Sequence, residues 1–329
     1  MTGEATPSRR AVVTSAVRAA AALPVILGTA ACSEPADTSS TTPSAPSTST
    51  GSSTSTGSAT SSGSATSSAT GTGSPSRTAA PLPPAGELVW SDDFDGPAGT
   101  LPNRADWAYD LGGGGWGNAE LQTYTDDPAN ASLDGKGHLA ITARLVSGTA
   151  GAADQRWTSA RLTTFGLRTL TAGRVEVRAR VASGAGIWPA AWTLGQDIQT
   201  VGWPACGEID VIEAVNDAGE CLQTVHGPDA AGQRWYETIT TPQPEPLSAD
   251  FHTFAADWNG DRVTFALDGA ITGTVEKSAL APDRRWPFDS PQYLLLNVAV
   301  GGQLPGPTDA STPPVATMLV DWVRLFRPR

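Results

Sequence analysis

The folded part of this sequence predicts an all-β architecture, and three observations carry that expectation. Short segments alternate apolar and polar residues, turn residues separate them, and no long segment repeats at helical spacing. Gly173 to Val181 shows the alternation well. Val175, Val177, Ala179 and Val181 share one face, and Arg174, Glu176, Arg178 and Arg180 share the other. Asp257 to Phe265 reads as a hairpin about Asn259-Gly260, and Asp134-Gly135 and Asp268-Gly269 mark further turns. Many short strands over about 240 residues suggest two antiparallel sheets packed as a sandwich, although periodicity alone leaves a barrel open.

Ahead of the strands, residues 1–32 read as an export leader. Arg9-Arg10 follow Ser8, as in a twin-arginine signal, and the apolar stretch Ala19 to Ala31 is too short to span a bilayer. Thr29-Ala30-Ala31-Cys32 resembles a lipoprotein cleavage box, with Cys32 as the lipidated residue. Simple cleavage after Ala31, with free secretion, is the competing reading. Residues 33–85 are almost entirely Ser, Thr, Gly, Ala and Pro. They cannot bury enough apolar surface to offset chain entropy and are expected to form a disordered stalk. The folded domain is expected over 86–329.

Composition narrows the function. A net charge of −12 argues against nucleic acid, because phosphate binding needs clustered Lys and Arg. Three cysteines make no disulfide scaffold, and no His/Cys cluster has zinc spacing. Eleven Trp against two Met suggest flat apolar faces offered to polar partners such as sugar rings.

The chemistry is concentrated in Trp203-Pro204-Ala205-Cys206-Gly207-Glu208-Ile209-Asp210-Val211-Ile212-Glu213. On a β-strand Glu208 and Asp210 point to one face and Glu213 to the other. One extra residue at Val211 or Ile212, a β-bulge, returns Glu213 to its companions. Three carboxylates on one half-buried face repel each other, which a structural role rarely requires. Glycoside hydrolysis, by contrast, requires two carboxyl groups in different protonation states. Trp188, Trp192, Trp203 and Trp116 are candidate sugar platforms, with core packing as the alternative. Asn118 is either a sugar-bonding amide or a turn residue at positive φ. His226, on the strand expected to pair with the acidic one, is a candidate partner for a carboxylate or for sugar. Glu120 and Gln122 alternate and are candidate cleft residues, whereas Arg156 and Arg161 read as ordinary surface charges. A hairpin turning near Asp217 would pair Glu213 with Cys221 and leave Cys206 too distant for a disulfide.

This acidic run resembles the signature of glycoside hydrolase family sixteen, in its laminarinase-like branch. Flanking blocks resemble the same family in the same order: Val89-Trp90-Ser91-Asp92-Asp93-Phe94, Gly115-Trp116-Gly117-Asn118-Ala119-Glu120, Gly186-Ile187-Trp188-Pro189, Thr224-Val225-His226-Gly227 and Asn297-Val298-Ala299-Val300. The resemblance implies a β-jelly roll with a concave cleft. It implies Glu208 as nucleophile, Asp210 as its helper and Glu213 as general acid/base, in a retaining reaction on β-1,3-glucan. Retention asks for carboxyl groups about 5–5.5 Å apart. Four steps along a flat strand separate Cβ atoms by about 13 Å, so the two Glu side chains must lean together.

No cofactor is implied for catalysis. A structural calcium is implied on the convex side, with Asp93 and Asp321 at its ligand positions; the family usually carries Glu where Asp93 stands. The partners implied are a polysaccharide and, through Cys32, a membrane, for a chain acting as a monomer. Hydrolysis of mixed-linkage glucan or galactan, transglycosylation, and glucan binding without cleavage are the rival readings.

Overall fold

The computed structural model describes residues 79–329, so the leader and Cys32 lie outside the described residues. The domain is a jelly-roll β-sandwich. Its outer sheet runs in the order Ala270–Glu276, Arg262–Leu267, His252–Trp258, Gly173–Arg180, Val315–Phe326, Leu139–Ser147, Arg156–Ser159 and Gln122–Tyr124. The cleft sheet runs Arg234–Pro242, Glu220–Pro228, Glu208–Glu213, Ile187–Gly195, Gln292–Val300, Arg161–Thr163 and Ala108–Asp110. One short α-helix, Ile198–Val201, interrupts this pattern among the described residues. Gln122–Tyr124 and Arg156–Ser159 run parallel, a local departure from the antiparallel expectation.

Side-chain alternation fills the space between the sheets. Val175, Val177 and Ala179 of the outer sheet, with Phe254 and Phe265 beside them, meet Ile209, Val211, Ile212 and Val225 of the cleft sheet. All nine are buried. Burial of apolar surface is the main favourable term in folding, at about 25 cal/mol per Å². It leaves the opposite face of each sheet for polar groups.

Two turns differ from each other in mechanism. Asp268 and Gly269 both have positive φ (49° and 78°), as a two-residue hairpin requires. The Asn259-Gly260 hairpin forms without positive φ at either residue. Asn259 Oδ1 instead accepts from the backbone N–H of Asp261 at 2.8 Å and of Arg262 at 3.1 Å.

The folded domain begins earlier than residue 86. Ala80 and Leu82 bond to the backbone of Ile271 and Gly269, and Arg174 Nη2 donates to the Pro83 carbonyl at 2.6 Å. A hairpin edge and a buried arginine, itself held by Asp257 and Glu176, thus capture a segment whose composition reads as linker.

Candidate active site

The acidic strand carries the bulge. Asp210 pairs with Thr224 and Glu213 with Leu222, so two residues, Val211 and Ile212, oppose the single Gln223 on the neighbouring strand. On the other side Asp210 faces Trp192 and Ile212 faces Ala191, which leaves Val211 as the extra residue. Ile209, Val211 and Ile212 all turn into the core. Glu208, Asp210 and Glu213 all line one cleft of about 700 Å³. The neighbouring hairpin pairs Glu213 with Leu222 rather than Cys221, one position from expectation. The turn centres between Asp217 and Ala218 rather than on Asp217, and that half-residue accounts for it. Cys206 and Cys221 are both buried and unbridged.

Each glutamate has its own indole donor. Trp203 Nε1 donates to Glu208 Oε2 at 2.6 Å, and Trp188 Nε1 donates to Glu213 Oε1 at 2.9 Å. His226 stands opposite Glu208 across the ladder. Its Nε2 lies 3.2 Å from Asp210 Oδ2 and 4.0 Å from Glu208 Oε1. The shorter contact is not aligned as a hydrogen bond, so Asp210 Oδ2 remains without a bonded donor.

Charge is expensive here. Burial, and then the charge of Asp210, push Glu208 up to about 8, against the pull of His226 and of the Trp203 donor. Burial, and then the charge of Glu208, push Glu213 up to about 7, against His226 and the Trp188 donor. Burial, and then the charge of Glu213, hold Asp210 well above the ordinary range. These carboxyls therefore keep protons in the folded state that the unfolded chain has already released, and stability falls as pH rises from about 4.5 through 7 to 8. Glu213→Gln is expected to flatten that fall. Its melting temperature, compared with wild type at pH 5 and pH 8.5, should gain more at the higher pH. Each kcal/mol corresponds to about 2–4 °C in a domain of this size. Equal gains at both pH values would contradict the argument.

Four tryptophans line the cleft and four others are buried. Trp116, Trp188, Trp192 and Trp203 line the cleft, and Trp203 is 47 % exposed. Trp107, Trp157, Trp235 and Trp258 are buried. Trp192 Nε1 donates to Asn297 Oδ1 at 2.7 Å, and Asn297 Nδ2 donates to the Tyr124 hydroxyl at 3.0 Å. This chain fixes the cleft floor.

Several local expectations need correction. Arg161 is a cleft residue rather than a surface charge. Its guanidinium sits between the Trp116 and Trp192 rings, 4.8 and 4.7 Å from their centroids, and pairs with Asp110 at 2.9 Å. Its place on a short strand beside the cleft gave no signal in local periodicity. Asn118 also lines the cleft, but the positive φ in its loop falls on its glycines and on Trp116 and Ala119. Its Nδ2 donates to Glu120 Oε1 at 3.1 Å. Glu120 lines the cleft from a loop rather than a strand. Gln122 does not line it: this buried side chain accepts from the Val300 N–H and donates to Glu120 Oε2. Arg156 is exposed, as its polar surroundings suggest.

At the expected calcium position, Asp93 pairs with Arg324 at 3.4 Å and Asp321 with Arg178 at 2.8 Å. Calcium takes six to eight oxygens. As these side chains stand, each carboxylate faces its own cation, and the pair does not form such a shell.

Comparison with known sequences matches the model of glycosyl hydrolases family 16 to residues 121–324, which include the whole acidic strand. This chain belongs to glycosyl hydrolase family 16. Among family 16 relatives, a β-glucanase from Rhodothermus marinus is 39 % identical over 257 residues, covering 74 % of this chain and 86 % of the relative. A keratan-sulfate endo-1,4-β-galactosidase from Sphingobacterium multivorum is 30 % identical, over 73 % of this chain and 55 % of the relative. The laminarinase catalytic domain from Thermotoga maritima superimposes with a TM-score of 0.66 at 37 % identity, covering 74 % of this chain and 98 % of that one. The family 16 domain is thus a glycoside hydrolase, with its acids gathered by one bulge.

Proposed function

We propose that this family 16 enzyme cleaves β-1,3-glucan internally, as in laminarin, by a retaining double displacement. The observation that carries the reading is the shared facing of Glu208, Asp210 and Glu213, each glutamate held by an indole donor. Glu208 is the nucleophile: burial and the charge of Asp210 raise it to about 8, a proton on Asp210 removes the second of these, and the 2.6 Å bond from Trp203 and the neighbouring His226 favour its charged form. Asp210 is 2 % exposed and its Oδ2 lacks a bonded donor, so it keeps the proton of the pair and leaves Glu208 as the free carboxylate that bonds to the anomeric carbon. Glu213, poised near neutrality, protonates the leaving oxygen and then takes a proton from the incoming water. Trp188 and Trp203 offer ring faces to the sugars on either side. Trp192 and Trp116 back them, and Asn118 offers its amide to sugar hydroxyls.

The laminarinase and β-glucanase names of the relatives support the β-1,3-linkage; the galactosidase relative keeps galactan as the second substrate class. The enzyme acts as a monomer outside the cell, held at the surface through lipidated Cys32. Reducing-sugar release from laminarin, lichenan and agarose by the purified domain tests the substrate. Proton NMR of the first-formed product tests the stereochemistry. Laminarin is expected to be cut fastest, with β-anomer appearing first. No release from laminarin removes the substrate assignment, and α-anomer first removes the double displacement.

A further inference from the structure

The bulge that aims Glu213 has a fastener on its buried side. Val211 is out of register with both neighbouring strands, so its backbone groups lack the ladder partners that a regular strand supplies. Gln223, on the adjacent strand Glu220–Pro228, is fully buried on the core side of the sheet. Its Nε2 donates to the Val211 carbonyl at 2.9 Å. The same amide reaches the Ala266 carbonyl of the outer sheet at 3.3 Å. Its Oε1 accepts from the Thr272 hydroxyl at 2.6 Å.

Thr272 and Ala266 mark a second irregularity. Across the hairpin, Phe265 pairs with Gly273 but Ala266 pairs with Ile271, so Thr272 is the extra residue of another bulge. One buried carboxamide therefore joins the bulge of the acidic strand to a bulge in the opposite sheet. A core cluster otherwise made of apolar side chains has no packing reason to hold a glutamine there. Burying an amide is unfavourable unless its donors and acceptor are matched, and here they are.

We propose that Gln223 is a positioning residue for the hydrolysis: by bonding the extra carbonyl of the catalytic bulge and anchoring it to the Thr272 bulge, it sets the direction in which Glu213 faces the scissile bond. It touches no substrate, because it lies on the side of the strand away from the cleft. The proposal rests on the assignment of Glu213 as acid/base. Its effect should appear in the chemical step more than in binding, since the aromatic subsites stand on other residues.

Gln223→Met keeps side-chain length and volume and removes both hydrogen-bonding functions. Thr272→Val removes only the anchoring hydroxyl and serves as the milder variant should the first not fold. For folded Gln223→Met, kcat on laminarin is expected to fall by about 10²-fold, with KM within about twofold, because a misplacement of about 1 Å carries that size of penalty. Thr272→Val should show a smaller fall in the same direction. The basic limb of the pH–rate profile should move in both. Carboxyl carbon NMR of Glu213, with label in wild type and in each variant, reads the same displacement without substrate. It therefore remains decisive even if the wild-type enzyme spares laminarin, a result that would count against the substrate reading alone. Folded variants with unchanged kcat, pH profile and Glu213 titration would overturn the proposal, whatever happens to their melting temperatures.

Discussion

Glu208→Gln is expected to lower kcat on laminarin by at least about 10⁴-fold while leaving the dissociation constant for laminari-oligosaccharides within a few-fold. The amide is nearly isosteric and can still accept from Trp203 Nε1, so the cleft keeps its shape. What it lacks is a negative oxygen to attack the anomeric carbon. The glycosyl-enzyme intermediate cannot form, and the oxocarbenium-like transition state loses its nearest counter-charge. Binding should persist because the platform at Trp188, whose indole bonds to Glu213, does not depend on that charge. Stopped assays for product, combined with calorimetry on oligosaccharides, check both halves. A variant that still turns over at more than a hundredth of the wild-type rate would exclude Glu208 as nucleophile. A wild-type chain that binds laminarin without cutting any of the tested polysaccharides would favour a binding module instead.

Glu213→Ala carries the second large effect, a loss of about 10² to 10⁴ in kcat on laminarin. The loss should depend on the leaving group. A glucan leaving group needs a proton as its bond breaks, whereas an activated aryl leaving group departs without one. Rates on an aryl laminaribioside should therefore fall much less in the first step, and the glycosyl-enzyme should accumulate because no base remains to activate water. Azide, which needs no base, is expected to restore turnover and yield a glycosyl azide of retained configuration. The indole of Trp188 loses its acceptor in this variant, so Glu213→Gln, which preserves one, is the control for cleft shape. No azide rescue in either variant, with equal losses on both substrate types, would deny Glu213 its acid/base role.

The acidic strand was legible before the fold because its meaning is local. Side-chain direction alternates along any strand, so Glu208, Asp210 and Glu213 share a face only if one residue is added between them. The identity of Val211 and Ile212 as apolar neighbours shows which way that extra residue turns. His226 was legible for the same reason, since hairpin register follows from the position of the turn. The misjudged positions depend on distant chain. Arg161 reads as a solvated charge until Trp116 and Trp192 close on its two faces. Asn118, undecided rather than misjudged, reads equally as a sugar-bonding amide and as a turn residue until the fold puts it on the cleft lining and the non-glycine positive φ on Trp116 and Ala119. Residues 80–83 read as stalk until Arg174 and the Gly269 turn bind their backbone.

The spacing of the acids, the bulge they demand and the all-β class that carries them follow from residues within a few positions of one another, whereas the sandwich rather than a barrel came from the family resemblance. Alternation and turn chemistry act at that range and survive without any knowledge of the rest of the molecule. The stacking of Arg161, the three carboxyls driven toward neutrality, and the amide of Gln223 between two sheets required the folded chain. Each depends on groups far apart in sequence that share one low-dielectric interior, where burial sets the energy of a charge or an unpaired amide.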